Sequence, residues 1–129
     1  MSVTRQAARQ RGRWAETLAV LLLRLKGYRV LARGMVTGRG SGAGEIDIVA
    51  RRGGLVAFVE VKARRSLAEA AEAVSASQRR RIIRAAEGFL ARRPELAGLA
   101  VRFDAVLVAP GRWPKHVTGA WRADGRMDA

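Results

Sequence analysis

GEIDIVARRGGLVAFVEVKA, residues 44–63, is the stretch that decides the fold. Two runs rich in Val, Ile and Phe flank Gly53-Gly54, and apolar β-formers on either side of a two-glycine break are the sequence form of a β-hairpin. A symmetric tight turn on those glycines sets Arg52 opposite Leu55. The same register carried outward puts Asp47 opposite Glu60 and Glu45 opposite Lys62. Cross-strand partners share a face, with Cβ atoms about 5 Å apart, and two carboxylates at that separation repel unless a cation lies between them. Lys62 falls on the same face as Glu60, because side chains alternate along a strand. Val61 points away and leaves its carbonyl close to both. Two hard carboxylates and a carbonyl oxygen suit Mg²⁺ or Mn²⁺ rather than zinc. Such an ion lowers the pKa of a bound water and stabilises a pentacovalent phosphate, while Lys62 could orient the water or offset phosphate charge. A solvated ion pair of little energy accounts as well for Glu45 with Lys62. It leaves two like charges facing each other inside apolar strands unexplained.

The pattern G-E-I-D followed by V-E-V-K resembles the PD-(D/E)XK, or restriction-endonuclease-like, nuclease superfamily. Within it the chain looks most like the YraN-like family of small bacterial proteins, similar in fold to archaeal Holliday-junction resolvases. The similarity runs from about Ala15 to about Arg122. It implies a metal-dependent nuclease fold; activity is implied by the superfamily, since the members of this branch are largely uncharacterised. Ile46, not Pro, precedes Asp47, as is usual in the resolvase-like branch. That branch also carries a glutamate on its first helix that reaches the metal site, and Glu16 matches the position; an acid bordering an apolar stripe is otherwise most often a surface residue. Gln78 stands where related nucleases place a polar or basic residue supporting the site. The family more often shows Lys-Gln across the two positions that are Gln78-Arg79 here.

A chain of 129 residues suits one domain with a modest core, and a hydrophobic share of 49% supplies one. There is no cysteine, which excludes a disulfide framework and thiolate metal sites. The longest apolar run, Leu18 to Leu25, contains Arg24 and is far too short to span a bilayer. It lacks a signal-peptide cleavage site, so a cytoplasmic protein is expected. The 25 basic residues against 11 acidic give a net charge of +14, which points to a polyanionic partner, most often nucleic acid. Of the 25, 22 are Arg. Codon bias explains Arg in place of Lys; it does not explain the shortage of acids.

Residues 1–12 read as a mobile basic arm or the frayed start of a helix, and residues 123–129 as a flexible tail. From Trp14 to Lys26 a helix is expected, with Trp14, Ala15, Leu18, Leu21, Leu22 and Leu25 on its apolar face and Gly27 ending it. Tyr28 to Thr37 reads as a strand, with Val30, Ala32 and Val36 inward. Residues 38–44 hold four glycines but lack the ending of a P-loop, so a loop beside the metal site that approaches a nucleic-acid backbone is the expectation. After the hairpin, a connection with at most a helical turn leads to a helix capped by Ser75 or Ser77 and stopped by Pro94. Its apolar face is Ile82, Ile83, Ala86, Phe89 and Leu90; Arg79, Arg80 and Arg84 lie opposite. Such arginines usually form a solvated face. Beside a metal site, together with Arg64 and Arg65, they become a phosphate-positioning surface. Ala100 to Ala109 and His116 to Arg122 read as further strands, with Trp113 and Trp121 capping the core. Asp104 is expected as a structural acid paired with an arginine rather than a ligand, and His116, alone near a chain end, is a poor general base.

The order helix, three strands, helix, two strands predicts an α/β sandwich: a mixed five-stranded sheet flanked by helices, with the carboxylates on an open edge. The restriction-endonuclease-like, three-layer fold implied by the resemblance is the same architecture. The expected function is a Mg²⁺- or Mn²⁺-dependent endonuclease acting on DNA, branched or structured. Asp47, Glu60, the Val61 carbonyl and Glu16 would bind metal, and Lys62 and Gln78 would assist. The competing reading is a nucleic-acid-binding protein, on DNA or RNA, that keeps the fold without cutting; a retired nuclease should have lost a carboxylate or the lysine, and this chain has all of them. A homodimer would supply the two active sites that symmetric cutting needs.

Overall fold

Alternation of apolar residues with a two-glycine turn produces the hairpin at the centre of the sheet. The computed structural model describes residues 2–36 and 45–127. Helix α1 (Ser2–Leu25) leads into β1 (Arg29–Val36), β2 (Glu45–Arg52) and β3 (Leu55–Ala63). Then come α2 (Leu67–Glu72), α3 (Ala76–Ala91), a 3₁₀ turn (Pro94–Leu96), β4 (Ala100–Val108) and β5 (Lys115–Trp121). The glycine-rich run 38–44 lies outside the described residues. Strands β2 and β3 pair from Ile48↔Val59 to Arg52↔Leu55, the register expected from the glycines, with Gly53 at φ +59° making the turn.

The sheet order is β1-β2-β3-β4-β5. Only β3 and β4 run parallel, from Leu55↔Ala100 to Ala63↔Val108. A parallel pair needs a long crossover, and α2 with α3 supply it. These two central strands are covered on both faces, which is why they read as nearly unbroken apolar runs. One core cluster joins α1 (Ala15, Ala19, Leu23) to Ile48, Val59 and Val106. The other joins α2 and α3 (Ala70, Ile82, Phe89) to Phe58, Phe103 and Trp121. The result is the expected α/β sandwich with a mixed five-stranded sheet between helical layers.

Several expectations are corrected. Helix α1 begins at Ser2, so of the two readings of residues 1–12 the start of a helix holds for the backbone from Ser2 onward. Its buried stripe is Ala15, Ala19, Val20 and Leu23, while Trp14, Leu21 and Leu25 are 64%, 51% and 86% exposed. A leucine-rich helix offers more than one apolar stripe, and the sheet selects the one whose small alanines allow close approach. In β1 a register shift between Val30 and Ala32 moves the strand's inward side, so Val30 packs with the α1 cluster and Ala32 with the other. Residues 122–127 fold back: Arg122 N–H donates to Arg126 O at 2.8 Å, and Met127 bridges to Trp121. Trp121 is buried, but Trp113 is 90% exposed and caps nothing. Glu60 lies on a central strand, 6% exposed, not on an open edge.

The helix starts follow their caps. Ser66 Oγ accepts from Glu69 N–H and starts α2, and Ser75 Oγ accepts from Gln78 N–H at 3.1 Å and starts α3.

Candidate metal centre

Two charged residues are buried among the described ones, Glu60 and Asp104, and they sit on adjacent strands. In the β3/β4 register Glu60 pairs with Ala105 and Val59 with Asp104, so alternation sends the two carboxyl groups to opposite faces. What distinguishes them is how many donors each has.

Asp104 is saturated. Arg102 donates from Nε to Oδ1 and from Nη2 to Oδ2, both at 2.7 Å. His116 Nε2 lies 2.8 Å from Oδ2, and Gly119 N–H donates to Oδ1 at 3.0 Å. The last bond depends on an irregularity in the β4/β5 ladder between Phe103 and Ala105, where Gly119 takes φ +59° and aims its N–H at the carboxylate. Lys26 Nζ is 2.6 Å from His116 Nδ1. An ammonium only donates, so Nδ1 accepts and the Nε2 proton faces Asp104. Arg102 also donates to Tyr28 OH. Burial would raise the Asp104 pKa, but the hydrogen bonds from His116, Arg102 and Gly119 outweigh it and hold the group below its ordinary 3.8. This acid is structural, as expected from the sequence. The sequence did not reveal that His116 and Gly119 complete its shell, with Lys26 behind His116 and Tyr28 behind Arg102; a polar residue inside each apolar strand was the available signal.

Glu60 is short of donors. Its ammonium partner, Lys62 Nζ, is 3.6 Å from Oε2, and its other neighbour is an acid. Asp47, between the buried Ile46 and Ile48, turns its carboxylate across the hairpin. Asp47 Oδ2 accepts from Val61 N–H at 2.8 Å and is hydrogen-bonded to the Glu60 carboxyl. Burial, the hydrogen bond to Asp47 and the charge of Asp47 push Glu60 up from 4.5 to about 9, with Lys62 acting in the opposite sense. Without a cation, then, Glu60 keeps a proton at neutral pH and lends it to Asp47.

That arrangement predicts a measurable penalty. The folded protein holds a proton on Glu60 that the unfolded chain releases above about 4.5. Stability present in acid is therefore lost as pH rises from there towards about 9. Glu60→Gln keeps the shape without ionising. In metal-free buffer it should exceed wild type by roughly 1–3 kcal/mol near pH 8 and match it near pH 4. Urea unfolding at the two pH values reads the difference, and a gap independent of pH would contradict this account.

Gln78, in the first turn of α3, reaches the same cluster. With its amide oriented to suit its neighbours, Nε2 donates to Ala73 O and Oε1 accepts from Lys62 Nζ, both at 2.9 Å. The opposite orientation gains a long 3.4 Å contact with Ser75 N–H but sets oxygen against oxygen and amide donor against ammonium. Asp47, Glu60, Val61, Lys62 and Gln78 thus come together from β2, β3 and α3.

Other expected members stand elsewhere. Glu16 accepts from Arg33 Nε at 3.2 Å, and among the described residues no three acids, histidines or cysteines converge on one point. Glu45 is exposed at the start of β2, and Lys62 pairs with Glu60 on its own strand. Arg79 is not a free cation: Nε donates to Gly125 O at 2.9 Å and Nη1 to Val74 O at 3.0 Å, tying the folded tail to α3. Arg64, Arg65, Arg80 and Arg84 are exposed. No helix among the described residues is long and apolar enough to cross a membrane.

The profile of a family described as "Uncharacterised protein family UPF0102" matches residues 15–108, which take in the whole carboxylate cluster. A UPF0102 protein of Paramagnetospirillum magneticum is 65% identical over 119 residues, covering 92% of each chain. One from Parvibaculum lavamentivorans is 57% identical over 116 residues, 90% of this chain and 84% of the relative. One from Methylorubrum extorquens is 51% identical over 121 residues, 94% of this chain and 91% of the relative. With profile and relatives agreeing over most of its length, the chain belongs to the UPF0102 family, the YraN-like family.

Proposed function

We propose that this protein is a divalent-metal-dependent nuclease that hydrolyses phosphodiester bonds in DNA. The observation that carries the reading is the buried Glu60 set against the half-buried Asp47, an acid pair with too few donors. Nothing in the fold needs it: the other buried acid, Asp104, is fully hydrogen-bonded, whereas Glu60 lacks the partners that would stabilise its charge. Functional sites are where such costs are tolerated.

The donor set fits a hard cation. Two carboxylates and the Val61 carbonyl are oxygen ligands, and Mg²⁺ is commonly bound through one or two carboxylates plus substrate phosphate oxygens. A third acid is not required for that mode, which agrees with Glu16 being engaged by Arg33. Bound there, Mg²⁺ or Mn²⁺ would supply a nucleophilic water and neutralise charge on the phosphate. The chain's own residues do the rest. Asp47, fixed by Val61 N–H, and Glu60 hold the negative charge in place. Lys62, steadied by Glu60 and Gln78, presents a positive charge to the scissile phosphate. The net charge of +14 draws the polyanion in.

A second reading has one observation in its favour. With Glu16 paired to Arg33 and no three-acid cluster among the described residues, the fold could bind nucleic acid without cutting. A cleavage assay decides. Single-stranded, duplex, flapped and four-way-junction DNA are incubated with Mg²⁺ or Mn²⁺ and wild type, Asp47→Ala or Glu60→Ala. Metal-dependent cutting by wild type alone is expected. Salt-sensitive binding with no cutting by any form would leave the binding module.

A further inference from the structure

The amino-terminal helix and the loop after β4 enclose an apolar groove of about 930 Å³. Leu18, Ala63 and Val108 line it together with Trp14 and Trp113. These two tryptophans are 64% and 90% exposed, while the third, Trp121, is 3% exposed within the core. Arg64, Arg65 and Arg112 line the same groove, and all three are exposed. Arg64 donates to Ala63 O at 2.7 Å, which leaves the rest of its N–H groups for another acceptor.

Exposed indoles interleaved with guanidinium groups match one class of ligand especially well. Bases stack on aromatic faces, and phosphates pair with arginine. A duplex cannot use the indoles, because its base faces are already covered by their neighbours. A second copy of this chain fits poorly: a two-fold contact at the groove would set Arg64, Arg65 and Arg112 against the same three residues of the other copy, on molecules that each carry +14. The groove lies at the same end of β3 as the carboxylate cluster but on the opposite face of the sheet. Lys62 and Ala63 are consecutive, so one faces the cluster and the other the groove, and a strand leaving the groove reaches the cluster by passing around the end of β3.

We propose that this groove holds an unpaired DNA strand, its bases stacked on Trp14 and Trp113 and its phosphates on Arg64, Arg65 and Arg112. The proposal rests on the nuclease reading for its purpose and adds a substrate class: DNA in which a single strand adjoins the phosphate to be cut, as at a flap or an open junction.

Binding is measured without divalent metal, in EDTA, so the outcome does not depend on cutting. Fluorescence anisotropy follows the full chain binding a labelled short oligothymidylate, a duplex of equal length and an oligouridylate. Trp14→Ala and Trp113→Ala should each weaken single-stranded DNA binding about tenfold, the order of effect that base–aromatic stacking supplies, and change duplex binding less than about twofold. Trp113→Phe should recover most of the loss. Arg65→Gln should reduce the salt dependence by about one counterion. Unchanged single-strand affinity, or an equal loss on duplex, overturns the proposal. So does tighter binding of oligouridylate than of oligothymidylate. A wild-type dimer in sedimentation that Trp113→Ala dissociates would assign the groove to a second copy instead. Cutting that fails while the groove behaves as described would count against the nuclease reading alone.

Discussion

Asp104→Ala should cost about 3–5 kcal/mol of folding stability, the scale seen when one partner of a buried ion pair is removed. The carboxylate is 0% exposed and accepts from Arg102, His116 and Gly119. Without it, a guanidinium that is mostly out of solvent, an imidazole and a bulge N–H are left facing a void. Against a domain stability of about 5–15 kcal/mol, the loss is large enough to unfold part of the population at physiological temperature. The pH dependence has a definite sign. The folded-state pKa of Asp104 is depressed, so its contribution is present above the ordinary value of 3.8 and is lost as pH falls through the lower folded value. The gap between wild type and variant should therefore be widest near neutrality and narrow only in strong acid. Urea unfolding monitored through the buried Trp121 measures it, and a gap below about 1 kcal/mol would show that the network is dispensable.

Lys62→Met should lower DNA cutting about 10²–10³-fold, the usual scale for removing one charge-stabilising donor from a reacting centre. Folding should change little, because Glu60 keeps its proton without the ammonium, whose bonds are a 3.6 Å contact with Glu60 and one to Gln78. The loss should fall on the rate at saturating DNA and not on binding, since the surface arginines remain. Gln78→Ala, which frees the ammonium without removing it, should cost about tenfold or less. Single-turnover cleavage separates the two effects. Equal loss of binding and cutting in Lys62→Met would make Lys62 an ordinary phosphate contact.

The hairpin and its site were legible for a physical reason. Gly53-Gly54 fixes the register, and register fixes which side chains share a face, so Asp47, Glu60 and Lys62 could be placed together from sequence alone. Gln78 could be associated with them only through the resemblance, because its link to Lys62 spans α2 and the start of α3, and no local pattern encodes that packing. Helix α1 misled for the opposite reason. Trp14, Leu18, Leu21 and Leu25 lie at helical spacing as regularly as Ala15, Ala19 and Leu23 do, and periodicity cannot tell a buried stripe from an exposed one. The Asp104 network was half legible: an acid inside V-R-F-D-A-V has to find a partner, and Arg102 was close in sequence. His116 and Lys26 join it only through the β4/β5 pairing and the end of α1.

If the protein is a metal-dependent nuclease, the Asp47–Glu60 pair is a site for a divalent cation. Titration calorimetry of wild type with Mn²⁺ at pH 7, in two buffers of different ionisation enthalpy, tests it most directly. Because Glu60 is pushed up to about 9, binding should release about one proton per ion. Both binding and release should disappear in Asp47→Ala, and proton release alone should disappear in any Glu60→Gln that still binds. Absence of binding, or binding that survives Asp47→Ala with unchanged affinity, would contradict the claim and leave the acid pair without a catalytic purpose.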